Sequence, residues 1–247
     1  MPRRARKKSE SGIYHIMLRG INRQQIFEDE EDYVRFLETL QKYKTQCEYE
    51  LYAYCLMGNH IHLLMKEGKE DLTQIFKRLA GSYVYWYNWK YHRCGHLFQD
   101  RFKSEPVETD EYFLAVLRYI HQNPVKAMLC HSAEEYSYSS MREYLSGTGL
   151  ADTEFALSMI SKEQLVDFHR EENADQCLDI SENDRMTDEE ARILMRKISK
   201  CDNTTDFQLL DKQSRSLHIQ KLHEKGVSIR QISRLTGVSK KVIERSL

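Results

Sequence analysis

Short apolar stretches and longer stretches of helical spacing follow one another along the first half of the chain. Ile13–Arg19 (IYHIMLR) reads as a strand, and the polar residues after it, with Gly20 and Asn22, as a loop. Residues 30–46 place Tyr33, Phe36, Leu37, Leu40 and Tyr43 at the spacing of an amphipathic helix. Residues 51–57 and His60–Lys66 form two further strands. Gly58-Asn59 between them is the kind of two-residue connection that closes a hairpin, so the two strands should pair antiparallel. A long helix is expected over residues 71–92, with most of its aromatic cluster, Tyr83, Tyr85, Trp86, Tyr87 and Trp89, turned into the core. A short strand over residues 103–107 follows. The next helix is capped by the Thr109 hydroxyl and stopped by Pro124 at about Asn123. The order strand, helix, strand, strand, helix, strand, helix predicts an α+β sandwich with an antiparallel sheet.

Beyond residue 146 the pattern changes. Residues 147–186 are weakly periodic and partly acidic, and read as a connector with one or two short helices. Residues 187–247 form a small helical domain: Thr187-Asp188-Glu189-Glu190 has the form of a capping box, Gly226 ends a later helix, and Ser228-Ile229-Arg230-Gln231 repeats the box. There Ile229, Ile232, Leu235, Val238, Val242 and Ile243 are the apolar skeleton of two short helices with a turn at Gly237, the pattern of a helix-turn-helix.

The composition, with 40% hydrophobic and 30% charged residues in 247, is that of an ordinary globular chain. No apolar run approaches the ~20 residues that span a bilayer. The basic start, Arg3, Arg4, Arg6, Lys7 and Lys8, is followed by no apolar segment, so a cytoplasmic location without a membrane partner is expected. Scattered cysteines at 47, 55, 94, 130, 177 and 201 read as free thiols. A net charge of -1 hides basic ends around an acidic stretch over residues 171–190, which hints at a polyanionic partner.

Two patterns carry chemistry. Alternation along a strand brings the imidazoles of His60 and His62 to one face and Ile61 to the other, and two such nitrogens can hold a divalent cation with positions left open. In LRYIHQNPV, Tyr119 and Asn123 share a helical face; Asn123 could offer the metal an oxygen or cap the helix ahead of the proline. A tyrosine hydroxyl ordinarily titrates near ~10 and attacks poorly unless a metal or charge assists.

Together these motifs resemble the single-tyrosine HUH transposases, in particular the branch associated with repetitive extragenic palindromes (REP). The resemblance spans about residues 10–145. It is also carried by Tyr14-His15, by Arg19-Gly20 with Asn22-Arg23, by Met57-Gly58-Asn59-His60 and by residues 95–102 (GHLFQDRF). It implies a ferredoxin-like antiparallel sheet with flanking helices over residues 1–146 and both histidines on a central strand. It also implies His60 and His62 as metal ligands and Tyr119 as nucleophile. Family members carry a glutamine four residues after the tyrosine; here that position is Asn123, a shorter third ligand.

The implied reaction is nicking and rejoining of single-stranded DNA through a 5′-phosphotyrosine, with Mg²⁺ or Mn²⁺ as cofactor. The implied partner is single-stranded DNA, hairpin or palindromic, bound by a monomer or a homodimer. Arg19, Asn22, Arg23 and Arg101 are candidate DNA contacts, joined by the tail Arg3, Arg4, Arg6, Lys7 and Lys8, which is too short and polar to pack. Ser239, Lys240, Lys241 and Arg245 would face duplex DNA if the terminal helices bind it. The rival readings are a transposase-derived regulator that binds DNA without cutting it, and a metal-dependent hydrolase using the His60/His62 pair. Tyr112 and Tyr136 are the next candidates for nucleophile.

Overall fold

The computed structural model describes residues 6–171, 175, 177, 178, 188–201 and 203–247. The chain divides into two compact units, Met1–Asp179 and Ile180–Leu247. No described helix is long and apolar enough to cross a membrane.

In the first unit, β1 (Ile13–Arg19) leads through a single 3-10 turn to α1 (Glu30–Cys47), followed by β2 (Glu50–Met57), β3 (His60–Lys66), α2 (Leu72–Lys90), β4 (Lys103–Pro106) and α3 (Asp110–Lys126). The helices begin where side chains can accept the orphan amide protons of a first turn. Asp29 and Asp32 form a reciprocal capping box on α1, Asp71 caps α2, and the Thr109 hydroxyl accepts from Tyr112 N–H on α3. The four strands lie in the order β2-β3-β1-β4, antiparallel throughout, which is the ferredoxin-like arrangement. Gly58-Asn59 joins β2 to β3 with neither residue at positive φ, so the hairpin closes without the primed turn its sequence suggests.

Each face of the sheet has its own layer. Ile16, Leu18, Ile61, Leu63 and Met65 pack beneath α1 and α2 with Phe36, Leu40, Leu79 and Tyr83. On the other face Cys55, Met57 and Leu64 meet Val116, Leu117 and Ile120 of α3. α4 (Met141–Ser146) follows α3, and the described part of the segment expected as a connector supplies α5 (Glu154–Leu157) and α6 (Lys162–Arg170); Met141, Ala156 and Leu165 are buried in the same second layer.

The end of α3 and two of the five aromatics of α2 differ from expectation. Helix α3 does not stop at Asn123 but continues through Pro124 to Lys126. The proline stands in the last turn and forfeits only the bond to the Ile120 carbonyl, while Ala127 N–H still reaches Asn123 O at 3.0 Å. In the aromatic cluster of α2, Tyr83 and Tyr87 are buried and Trp86 partly so, but Tyr85 is 78% and Trp89 71% exposed. The first pair shares the inward stripe of Leu72, Phe76 and Leu79; the second lies about half a turn round the helix.

The second unit holds α7 (Asp188–Ser199), α8 (Thr204–Leu209), α9 (Lys212–Glu224), α10 (Ile229–Thr236) and α11 (Lys240–Ser246). Its core includes Ala191, Met195, Phe207, Ile219, Leu222, Ile232, Leu235, Val238 and Ile243. Ser228 and Gln231 form the expected capping box, and Gly237 ends α10 at φ 68°. Val242, expected in the apolar skeleton, is 42% exposed. Thr187, the start of the other expected box, lies outside the described residues.

A directed chain of hydrogen bonds ties α3 to β2 and α6. His169 Nδ1–H donates to Leu165 O (2.7 Å), so its Nε2 must accept from His121 Nδ1–H (2.9 Å). His121 Nε2 then accepts from the Ser140 hydroxyl (2.8 Å), whose oxygen accepts from Tyr54 N–H (3.0 Å). Burial favours the neutral form of both imidazoles, lowering His169 to about 4 and His121 well below the ordinary 6.5. Unfolded, both take up protons near 6.5 while the folded chain resists, so their contribution is complete above that pH and declines as pH falls through it toward 4. The thermal midpoint is therefore expected to drop between pH ~7.5 and pH ~5, and His169→Gln to narrow that drop. A pH-independent midpoint over that window would contradict this.

Candidate functional site

Alternation along β3 delivers His60 and His62 to the face covered by α3 while Ile61 enters the opposite layer. The two rings stand 5.2 Å apart between centroids, nearly perpendicular at 86°. Each has one nitrogen fixed by a neighbour. His60 Nδ1 lies 2.7 Å from Asn59 Oδ1, which can only accept, so a proton sits on Nδ1 and the neutral ring carries its lone pair on Nε2. His62 Nδ1 lies 3.0 Å from Nε2 of His15, whose position on β1 was not singled out by the histidine motif. His62 Nε2 is fully buried without a hydrogen-bond partner, and such an atom costs ~1–3 kcal/mol unless something binds it. Burial holds both rings in the neutral, ligating form, His15 at about 3 and His62 well below its ordinary value, with the charges of His15 and His60 adding to the latter.

These facts fit a divalent cation. A lone pair on His62 Nε2 requires the proton on Nδ1, donated to His15 Nε2, which leaves the His15 proton on its own buried Nδ1. His15 thereby orients the ring that would ligate. Among the described residues no three His, Cys, Asp or Glu side chains converge as a metal group, so an ion here would need oxygen donors beyond the two imidazoles.

Tyr119 reaches the same place from α3. It is only 5% exposed, and its ring centroid lies 5.7 Å from those of both His62 and His15. The ammonium of Lys126, two turns further along, stands 5.0 Å from the ring. The far side of α3 is pinned: Arg118 forks onto Asp175 at 2.9 and 3.0 Å, and Gln122 Nε2 donates to His169 O at 2.7 Å. Asn123 Nδ2 donates to Tyr119 O at 2.8 Å, so the amide caps its own helix and only Oδ1 remains as a cation donor. Tyr112 donates to Glu105 (2.7 Å) and Tyr136 to Leu56 O (2.8 Å). Burial pushes both phenols up, with Glu105 adding to the effect on Tyr112, so neither is prepared to lose its proton.

The expected DNA contacts scatter. Arg19 faces His60 across the β1/β3 ladder and shares its side of the sheet. Asn22 and Arg23 are exposed in the adjoining loop at φ 52° and 60°. Gly20 is required there because a Cβ would stand 2.2 Å from Gln24 O. The loop is stitched to the hairpin through Gly20 N–H to Asn59 O (2.9 Å), so Asn59, likewise not singled out as a site residue, links Arg23 to His60. Arg101, Lys7 and Lys8 are exposed. Of the described tail residues Arg6 does pack, contrary to expectation: its guanidinium lies 3.7 Å from the Phe102 ring centre, and just beyond the tail Ser9 is buried with its N–H on Tyr14 Oη at 2.9 Å. Arg3 and Arg4 lie outside the described residues. Ser239, Lys240, Lys241 and Arg245 are exposed along α11 of the second unit.

A family model described as IS200-like transposase matches residues 8–123. A Haemophilus influenzae protein, which bears the name REP-associated tyrosine transposase provisionally, is 31% identical over 124 residues, 44% of this chain and 69% of that protein. Among solved structures, a REP-associated tyrosine transposase bound to a REP hairpin superposes with a TM-score of 0.54 at 16% identity, covering 75% of this chain and 99% of that one. At that identity the likeness is one of fold.

If His15 orients the ligating tautomer of His62, His15→Phe should weaken Mn²⁺ binding by ~10–100-fold, read by electron paramagnetic resonance titration, with little change in thermal stability. Unaltered affinity would remove His15 from the site.

Proposed function

The chain belongs to the REP-associated tyrosine transposases of the IS200-like family, and from that premise we propose that it nicks and rejoins single-stranded DNA with Tyr119 as nucleophile. The observation that carries the reading is the approach of a buried phenol from α3 to His62, whose ring in turn neighbours that of His60 on β3. A divalent ion, Mg²⁺ or Mn²⁺, held by His60 and His62 with Asn123 Oδ1 as a third donor, would polarise the phosphoryl oxygens.

Tyr119 Oη attacks the scissile phosphorus in line and forms an ester to the 5′ phosphate as the bond to the 3′ oxygen breaks. The phenol gives up its proton and the departing 3′ oxygen takes one up, so charge and phosphodiester count are conserved and no nucleotide cofactor is needed. The Lys126 ammonium beside the Tyr119 ring has the charge that favours a developing phenolate. Attack by another 3′-hydroxyl reverses the step and joins a new strand. Arg19, beside His60 on the same face, is placed to meet the phosphate backbone, and Asn22, Arg23 and Arg101 extend the contact beyond it.

A hairpin with unpaired flanks suits this face, because an unpaired strand exposes the phosphodiester that a duplex would turn away. The solved relative bound to a REP hairpin supports that substrate class. For the second unit, the exposed Ser239, Lys240, Lys241 and Arg245 on the last of its short helices support a helix-turn-helix that binds duplex DNA.

Incubated with a labelled hairpin oligonucleotide and Mn²⁺, the protein is expected to form an adduct that survives denaturation. Tyr119→Phe should abolish the adduct yet keep hairpin affinity within ~2-fold, since one buried hydroxyl is removed. His62→Ala or chelation of the metal should also stop cleavage. An adduct persisting in Tyr119→Phe would assign the nucleophile elsewhere; binding without any adduct would leave a DNA-binding regulator.

A further inference from the structure

We propose that the outer face of α1 and α2 is a second binding surface, for unpaired single-stranded nucleic acid, on the opposite side of the sheet from the imidazoles. The two surfaces are separated by construction: His60 and His62 point toward α3, whereas α1 and α2 cover the Ile61 and Leu63 side.

The inward stripe of α2 accounts for Leu72, Phe76, Leu79, Tyr83 and Tyr87. Among the described residues nothing covers the outward one. Tyr85 and Trp89 stand four residues apart, 78% and 71% exposed, and offer two broad rings that folding leaves in water. Beside them is a groove of about 390 Å³ whose lining also includes Arg35, Lys77, Arg78 and Gly81, and no carboxylate. Arg35 comes from α1, its guanidinium 5.8 Å from the Trp86 ring centre.

Gly81 strengthens the case. It lies mid-helix, where glycine weakens the helix relative to alanine. Its φ is not positive, and a Cβ there would meet nothing within 4 Å, so neither strain nor packing within this chain calls for it. What its missing side chain does provide is an open floor to the groove between the cations and the rings.

Cations alternating with exposed aromatic faces match an unpaired strand, since the phosphates meet charge and each base has a face to stack. A duplex would hide its bases and leave both rings unused. Arg35 pairs with Glu38 (3.4 Å) at the surface, a contact worth little, and Arg78 pairs with the half-buried Glu70 (2.8 Å), so a bound phosphate would have to compete with that carboxylate for the outer face of the guanidinium.

The chain's only tryptophans, Trp86 and Trp89, both line this groove, so tryptophan emission, excited at the red edge where tyrosine does not absorb, reports on it. Titration of the full-length protein with oligothymidylate, which forms no hairpin, should quench that emission saturably and less so at high salt. Tyr85→Ala and Arg78→Ala, both at exposed positions, should each weaken the quenching affinity at least ~5-fold, with adduct formation through Tyr119 on a hairpin substrate unchanged. Three results would each overturn the proposal: no quenching; oligothymidylate bound by anisotropy with emission unaltered; or affinity indifferent to both substitutions. Because adduct formation is scored separately, failure at this groove and failure of the Tyr119 chemistry are distinguishable.

Discussion

Antiparallel pairing of β1 with β3 sets Arg19 opposite His60 and Met17 opposite His62, and it fixes which face of the sheet carries the imidazoles. A slip of one residue would turn both rings into the layer of Phe36 and Leu79, away from α3 and Tyr119. The register is held by apolar chemistry on the other face, since Ile61, Leu63 and Met65 must stay beneath α1 and α2. The site's precision is thus inherited from a hydrophobic layer that contains none of its residues. The same ladder places His15 diagonally from His62, so one pairing both presents the ligand and selects its tautomer.

The phenol is positioned by a different device. One side of α3 packs onto the sheet through Val116, Leu117 and Ile120. Its other side is keyed by directional bonds from Arg118, His121 and Gln122 to the segment around α6. Fixing both translation and rotation of the helix leaves Tyr119 facing the imidazoles without a large reorganisation. In this account α6, which has no reactive group of its own, is part of what makes the phenol usable.

Much of this was legible in the sequence, for physical reasons that also explain what was not. The hairpin, the strand His60–Lys66 and the shared face of the histidines follow from a period of two, which needs no tertiary information. The convergence of Tyr119 with them depends on how a helix crosses a sheet, and only the family resemblance suggested it. His15 and Asn59 went unrecognised as partners because their roles are set by register and loop closure, not by spacing within their own segments. Pro124 misled through its usual effect on a helix interior, which is small in a last turn. The exposed Tyr85 and Trp89 misled because aromatic content signals burial only where the helical phase agrees.

The central claim is that one polypeptide gathers a phenol and two imidazoles around a single cation. It is tested most directly by adding Mn²⁺ to protein carrying ¹⁵N-labelled histidine and ring-¹³C-labelled tyrosine and following paramagnetic broadening by NMR. The account predicts that Nε2 of His60 and His62 and the ring of Tyr119 broaden at the lowest ion concentrations, ahead of every other tyrosine. Broadening that spares Tyr119 while the two histidines respond, or that begins at other histidines, would contradict it.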